Sequence, residues 1–184
     1  MISKKVCMVG AFGVGKTSLI ARFVSSVFSD KYLSTVGVKV DKKTISVDGK
    51  DALLMLWDVA GEDDSTRVNM SYIKGAAGYL LVMDRTRKAT LTTATDLKAR
   101  VDKEAPAIGG GAVPFVAVVN KSDLTDKFEI TDADIEALQG AGWTVLSSSA
   151  KSGENVEAAF AALARKVLGG AAGGQAGGQA GVQG

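Results

Sequence analysis

Val6-Cys-Met-Val-Gly10-Ala-Phe-Gly-Val-Gly-Lys16-Thr17 is an apolar run that stops at a glycine, turns through glycines 10, 13 and 15, and ends in Lys-Thr. The loop matches G-x-x-x-x-G-K-[ST]. It follows Ile2 to Val9, which reads as a strand, and opens Thr17 to Ser25, which reads as a helix. That strand–loop–helix context gives the motif its meaning. Backbone N–H groups of such a loop, with a helix N-terminus behind them, favour an anion. Phe12, Gly13, Val14, Gly15, Lys16, Thr17 and Ser18 are therefore candidate phosphate-binding positions. Lys16 is suited to reach β- and γ-phosphates, and the Thr17 hydroxyl to ligate Mg²⁺.

Working outward, short apolar runs alternate with longer amphipathic stretches, the order of an α/β fold. Val38 to Val47 and Ala52 to Trp57 read as two strands joined by Asp48-Gly49, a dipeptide favoured in tight hairpin turns. They predict an antiparallel edge pair. Gly78 to Met83 and Pro114 to Val119 are continuous apolar runs, as in strands covered on both faces. Leu91, Ala94, Leu97 and Val101 recur at helical spacing between them. Thr131 is placed to cap a helix ending near Gly140. Thr144 to Leu146 is a short last strand, and Glu154 to Leu168 a last helix. The expected architecture is a P-loop NTPase: a mostly parallel six-stranded sheet, one antiparallel edge strand, helices on both faces. Residues 1–168 form one domain. From 169 to 184 Gly, Ala and Gln dominate, a composition that buries too little apolar surface to offset its ordering entropy and predicts a flexible tail.

Composition narrows the function classes. The 184 residues are 46% hydrophobic and 23% charged, with net charge +2. That balance is ordinary for a globular protein and too weak to argue for nucleic acid or an anionic membrane. There is no histidine, which excludes His triads and His metal sites. The one cysteine, Cys7, allows no internal disulfide, fits a reducing, cytoplasmic setting, and is expected as a buried packing residue. No run reaches the roughly 20 apolar residues of a membrane span.

Two further stretches carry chemistry. Leu53-Leu-Met-Leu-Trp-Asp58 is an apolar strand ending in a carboxylate of the kind that holds Mg²⁺ through water in P-loop proteins. Gly61 follows, and a glycine there lets its N–H come close to a γ-phosphate. Phe115-Val-Ala-Val-Val precedes Asn120-Lys121-Ser122-Asp123. This resembles the N-K-x-D motif of GTP-binding proteins. With the phosphate loop and Asp58-Val-Ala-Gly61, the chain from about Lys5 to Leu168 is similar to the Ras superfamily of small GTPases. Lys31-Tyr32-Leu-Ser-Thr35-Val-Gly and Ser71-Tyr72-Ile-Lys-Gly75-Ala are most similar to Rab-type members.

The resemblance implies a GTP/GDP switch that uses Mg²⁺ and is read by protein effectors. Asp123 would accept from two guanine donors that adenine lacks, which argues against a P-loop kinase or ATPase. Lys121 would pack over the base, Asn120 brace the pocket, and Ser149-Ala150-Lys151 form a second base loop, the Ala150 N–H on the guanine oxygen. Phe28 would pack against the base, Asp30 lie near the ribose, and Tyr32 close over the phosphates. Thr17 and Thr35 would ligate Mg²⁺, with Asp58 behind water. Lys16, Thr35, Gly61 and Glu62 would form the catalytic set.

Three features depart from the family pattern. Glu62 stands where the family carries a water-orienting Gln; an ionised carboxylate only accepts hydrogen bonds, so slow intrinsic hydrolysis is expected, or a binding scaffold without hydrolysis. Phe12 stands where a small residue is usual, its ring either crowding an incoming arginine or turned outward over apolar surface. The chain carries no C-terminal cysteine, and Ile2 follows Met1, so no lipid anchor is expected. A soluble divergent switch and a truncated chain both fit. Residues 62–67 are acidic and lack an aromatic, compatible with a basic partner or a solvated loop. Arg67 and Arg85 are expected as surface residues.

Overall fold

The computed structural model describes residues 1–169. Runs of six to ten residues of continuous apolar or alternating character set up the central strands. β1 spans Ile2–Gly10, β3 Lys50–Val59, β4 Gly78–Asp84 and β5 Phe115–Asn120. With β2 (Val38–Val47) and β6 (Val145–Ser147) they make one sheet in the order β2-β3-β1-β4-β5-β6. All neighbours are parallel except β2 against β3. That hairpin turns at Asp48 (φ 52°) and Gly49 (φ 73°). Two successive left-handed residues match the twist of the flanking strands, which is why Asp-Gly is favoured there.

Side chains alternate across each buried strand. Val6, Met8, Leu54, Leu56, Leu80, Val82, Val116 and Val118 point to one face. There α1 (Lys16–Ser25) and α4 (Val156–Gly169) cover them, with Phe23 stacked on Phe160 at 3.9 Å. Cys7, Val9, Tyr79, Leu81, Met83, Ala117 and Val119 point to the other. That face is closed by Ala94, Leu97 and Val101 of α2 (Ala89–Glu104) and by a 3₁₀ turn at Met70–Tyr72. Coverage on both sides explains the unbroken apolar runs in sequence. Cys7 is fully buried as expected, its Sγ donating to the Tyr72 carbonyl at 3.5 Å, and burial pushes the thiol up to about 12.

α3 (Asp132–Gly140) begins at a reciprocal capping box between Thr131 and Asp134. α4 starts at Val156, two residues later than its composition suggested, because Asn155 takes a left-handed conformation (φ 54°) and turns the chain first. Gly169 is the last residue of α4 rather than the first of the tail; the rest of the predicted tail lies outside the described residues. Arg85 is a second correction. It is buried, donating to the Ile130 carbonyl, paired with Asp132 and set 3.8 Å over the Phe128 ring. A flat guanidinium serves such a stacked, multiply bonded place. Among the described residues no helix is long and apolar enough to cross a membrane.

Candidate functional site

Parallel strands deliver their carboxyl ends to one edge, and the crevice opens where chain connections diverge to opposite sides of β1. Gly10, Asp58, Asp84 and Asn120 arrive there from β1, β3, β4 and β5. A cavity of about 410 Å³ sits on this edge. Its wall contains the phosphate loop from Phe12 to Ser18, apart from Val14, together with Phe28, Asp30, Tyr32, Thr35 and Gly61. Asn120, Lys121, Asp123, Ala150 and Lys151 close its other end. The volume lies within the range of small-molecule sites.

The loop glycines are required by space as well as by φ. Gly15 has φ 99°, and a Cβ there would lie 2.3 Å from Asn120 Nδ2. A Cβ at Gly61 would lie 2.6 Å from Phe12 Cα and 2.8 Å from Lys16 Nζ. Gly61 thus brings the segment after β3 into direct contact with the phosphate loop. The backbone seals that contact: Phe12 N–H donates to Glu62 O at 2.8 Å and Glu62 N–H to Gly10 O at 3.2 Å.

Lys16 is buried, its Nζ donating to Ala11 O at 3.0 Å and Gly10 O at 3.3 Å. Desolvation pushes the ammonium down to about 8, against the pull of Asp58, while Arg87 pushes the same way as burial. An anion brought into the loop would favour the charged form. The three oxygens expected to serve a metal converge. Thr17 Oγ1 lies 2.5 Å from Asp58 Oδ2 and 2.8 Å from Thr35 Oγ1, and Thr35 Oγ1 lies 3.3 Å from Asp58 Oδ2. Burial raises the Asp58 carboxyl above its ordinary range, and its Oδ1 is buried without a partner. Two hydroxyls and a carboxylate with one unpartnered oxygen form a hard-oxygen set that fits Mg²⁺, which takes few protein ligands beside phosphate oxygens and water.

At the base end, Asn120 Nδ2 donates to Val14 O at 2.9 Å and Lys121 Nζ to Gly13 O at 3.0 Å. Ser149, fully buried and behind the wall, donates to Asp123 Oδ1 at 2.7 Å and so orients that carboxylate. The Ala150 N–H, expected on the base, donates here to Asn120 Oδ1 at 3.2 Å. Arg22 carried no motif, yet its Nε donates to Ala150 O at 2.8 Å and its Nη2 to Lys151 O. It ties α1 to the second base loop.

Glu62 does not join the other catalytic candidates. Its Oε2 accepts from Arg100 Nη1 at 2.5 Å and from the Val68 N–H at 3.0 Å, so the side chain lies against α2 and outside the cavity wall. Phe12 is 38% exposed and sets its ring edgewise on Tyr32, centroids 5.4 Å apart. Both aromatics stand at the cavity mouth.

The Ras family model matches residues 5–169. The chain belongs to the Ras family. It is also 33% identical over 165 residues to Ras-related protein Rab-8B of Homo sapiens and of Pongo abelii, covering 89% of this chain and 78% of each relative. This Ras-family protein is a Rab-like small GTP-binding switch protein with a GTPase fold.

Proposed function

We propose that this Ras-family protein cycles between GTP and GDP states with Mg²⁺ and hydrolyses GTP slowly on its own. The observation that carries the reading is the pairing of a complete phosphate end with a displaced Glu62. Thr17, Thr35 and Asp58 meet within 3.3 Å beside buried Lys16, while Glu62 is held by Arg100.

Mg²⁺ held by the Thr17 and Thr35 hydroxyls, with Asp58 behind water, would supply charge neutralisation at the phosphates. Lys16 places a second positive charge at the same end, and the loop N–H groups add fixed dipoles that need no reorganisation during reaction. Gly61, packed on the Phe12 backbone, carries its own N–H to the terminal phosphate. Phosphoryl transfer relies mostly on positioning and charge, so these parts give binding and a basal rate. Orienting the attacking water needs a side chain that both donates and accepts. Glu62 has only acceptors when ionised and is engaged with Arg100. Asp123, held by Ser149, selects guanine, and the exposed segments around Thr35 and residues 62–67 present the nucleotide state to effectors.

A scaffold that binds nucleotide without turnover is favoured by the same Glu62–Arg100 pair. Single-turnover GTP hydrolysis separates the readings. The expected result is slow but measurable hydrolysis that Glu62→Gln accelerates about ten-fold or more, a threshold set below the roughly 100- to 10,000-fold contribution of a well-positioned acid–base group. A wild-type rate well above that of Glu62→Gln overturns the reading; no turnover by either protein favours the scaffold.

A further inference from the structure

Three consecutive carbonyls of the phosphate loop are each held by a side chain from elsewhere. Lys121 Nζ donates to Gly13 O at 3.0 Å, and Asn120 Nδ2 to Val14 O at 2.9 Å. Both belong to the base-binding motif. The third donor belongs to no motif: Arg87 Nη2 donates to Phe12 O at 2.7 Å.

A trans peptide points its C=O and the following N–H in opposite directions. Holding the carbonyls of residues 12, 13 and 14 therefore aims the N–H groups of Gly13, Val14 and Gly15 the other way. Among the described residues these three N–H groups donate to no protein acceptor. Backbone donors in such a place are normally satisfied, and here the ligand left to satisfy them is an anion.

Arg87 is not a loose surface arginine. Its Nε donates to Asp84 Oδ2 at 3.0 Å. Asp84 is buried, and the same oxygen pairs with Lys121 Nζ at 2.8 Å. Its Oδ1 accepts from the Thr86 N–H at 2.9 Å and Thr86 Oγ1 at 2.7 Å. One carboxylate thus anchors two cations, and each cation holds one carbonyl of the loop. The Phe12 N–H and Cα, immediately ahead of that carbonyl, pack against Gly61, the residue expected at the terminal phosphate.

We propose that Arg87 is a positioning residue that aims the Gly13 N–H at the terminal-phosphate end of the nucleotide, with Asp84 as its anchor. It acts through the backbone and does not touch the substrate. The inference rests on the GTP reading above. It also predicts that lysine can replace it, because Lys121 already bridges the same Asp84 oxygen and the neighbouring carbonyl with a single ammonium.

The test is single-turnover GTP hydrolysis together with the affinities for GDP and for a non-hydrolysable GTP analogue, in wild type, Arg87→Ala and Arg87→Lys. Arg87→Ala is expected to slow hydrolysis and weaken the analogue by about ten-fold, less than the loss on deleting a donor outright, with GDP affinity changed less than about three-fold. Arg87→Lys is expected to restore most of both. Wild-type behaviour of Arg87→Ala overturns the assignment, as does an equal loss for GDP, which would mark a general structural role. Arg87→Lys as impaired as Arg87→Ala also overturns it, because the guanidinium would then contact phosphate directly. If the wild type hydrolyses no GTP, the hydrolysis reading falls alone, and the analogue-to-GDP affinity ratio still decides this one.

Discussion

Single residues in this protein show what burial costs when a polar atom has no partner. Asp58 Oδ1 and Tyr79 Oη are both buried and unpartnered. The first lies at the Thr17–Thr35 cluster, where a cation or water would satisfy it. The second lies in the core, where the Tyr79 ring stacks on Phe115 at 5.4 Å and desolvation pushes the phenol well above its usual range. A ring packed this way keeps its dispersion contacts without the hydroxyl, while the hydroxyl alone bears a desolvation penalty. Tyr79→Phe is therefore expected to stabilise the fold by about 1 kcal/mol, read as a higher urea midpoint with an unchanged slope. A loss of stability would show that the hydroxyl has a partner and sink the argument.

Among the elements, α3 depends most on its cap, since none of its own residues is fully buried. Thr131 Oγ1 accepts from the Asp134 N–H at 3.2 Å, and Asp134 Oδ2 accepts from the Thr131 N–H at 2.8 Å. Lys88 donates to that same Oδ2 at 2.5 Å, and this bond, followed by those from Thr131, holds the Asp134 carboxyl down at about 2. Thr131→Ala should cost about 1 kcal/mol in chemical denaturation. The depressed carboxyl stabilises the native state fully above the ordinary carboxylate range, and the contribution is lost as pH falls toward 2. Asp134→Asn should therefore be less stable than wild type by a constant margin above pH 5, a margin that closes on acidification; a margin independent of pH down to 2 contradicts the assignment. This cap was legible in sequence, as were the β2–β3 hairpin at Asp48-Gly49 and the phosphate loop, because each is written in neighbouring residues. The arginine contacts were not. Arg85 on Phe128, Arg87 on Phe12 and Arg100 on Glu62 join residues 38 to 75 positions apart, or meet a loop whose course depends on the sheet. Charge and local pattern alone left Arg85 looking like a surface residue. The bond from the Ala150 N–H to Asn120 was not legible for the same reason, since the two residues lie 30 positions apart.

At the scale of the whole molecule, a rigid sheet carries two weakly held segments over one cavity. Lys31 to Val36 forms no regular structure, and Leu33 and Val36 are 79% and 91% exposed. Its inward tie is the Thr35 hydroxyl, on Thr17 at 2.8 Å and Asp58 at 3.3 Å. The second segment leans instead on α2, through Arg100 to Glu62 and, at 3.0 Å, to the Val68 carbonyl. Segments with few buried contacts open at small free-energy cost, and a ligand that adds a contact orders them. If Thr35 serves the metal and the terminal phosphate, the gain comes only with the triphosphate. Amide hydrogen exchange with Mg²⁺ and a non-hydrolysable GTP analogue should then show residues 31–36 protected relative to GDP, while the β4 and β5 amides exchange alike in both. Thr35→Ala should erase that difference and leave GDP binding intact, since Thr17 and Lys16 still hold the remaining phosphates. Equal exchange in the two nucleotide states would remove the physical basis for a switch. A difference that survives Thr35→Ala would move the ordering contact to another residue of the segment, Tyr32 first, because its ring already rests on Phe12 at the cavity mouth.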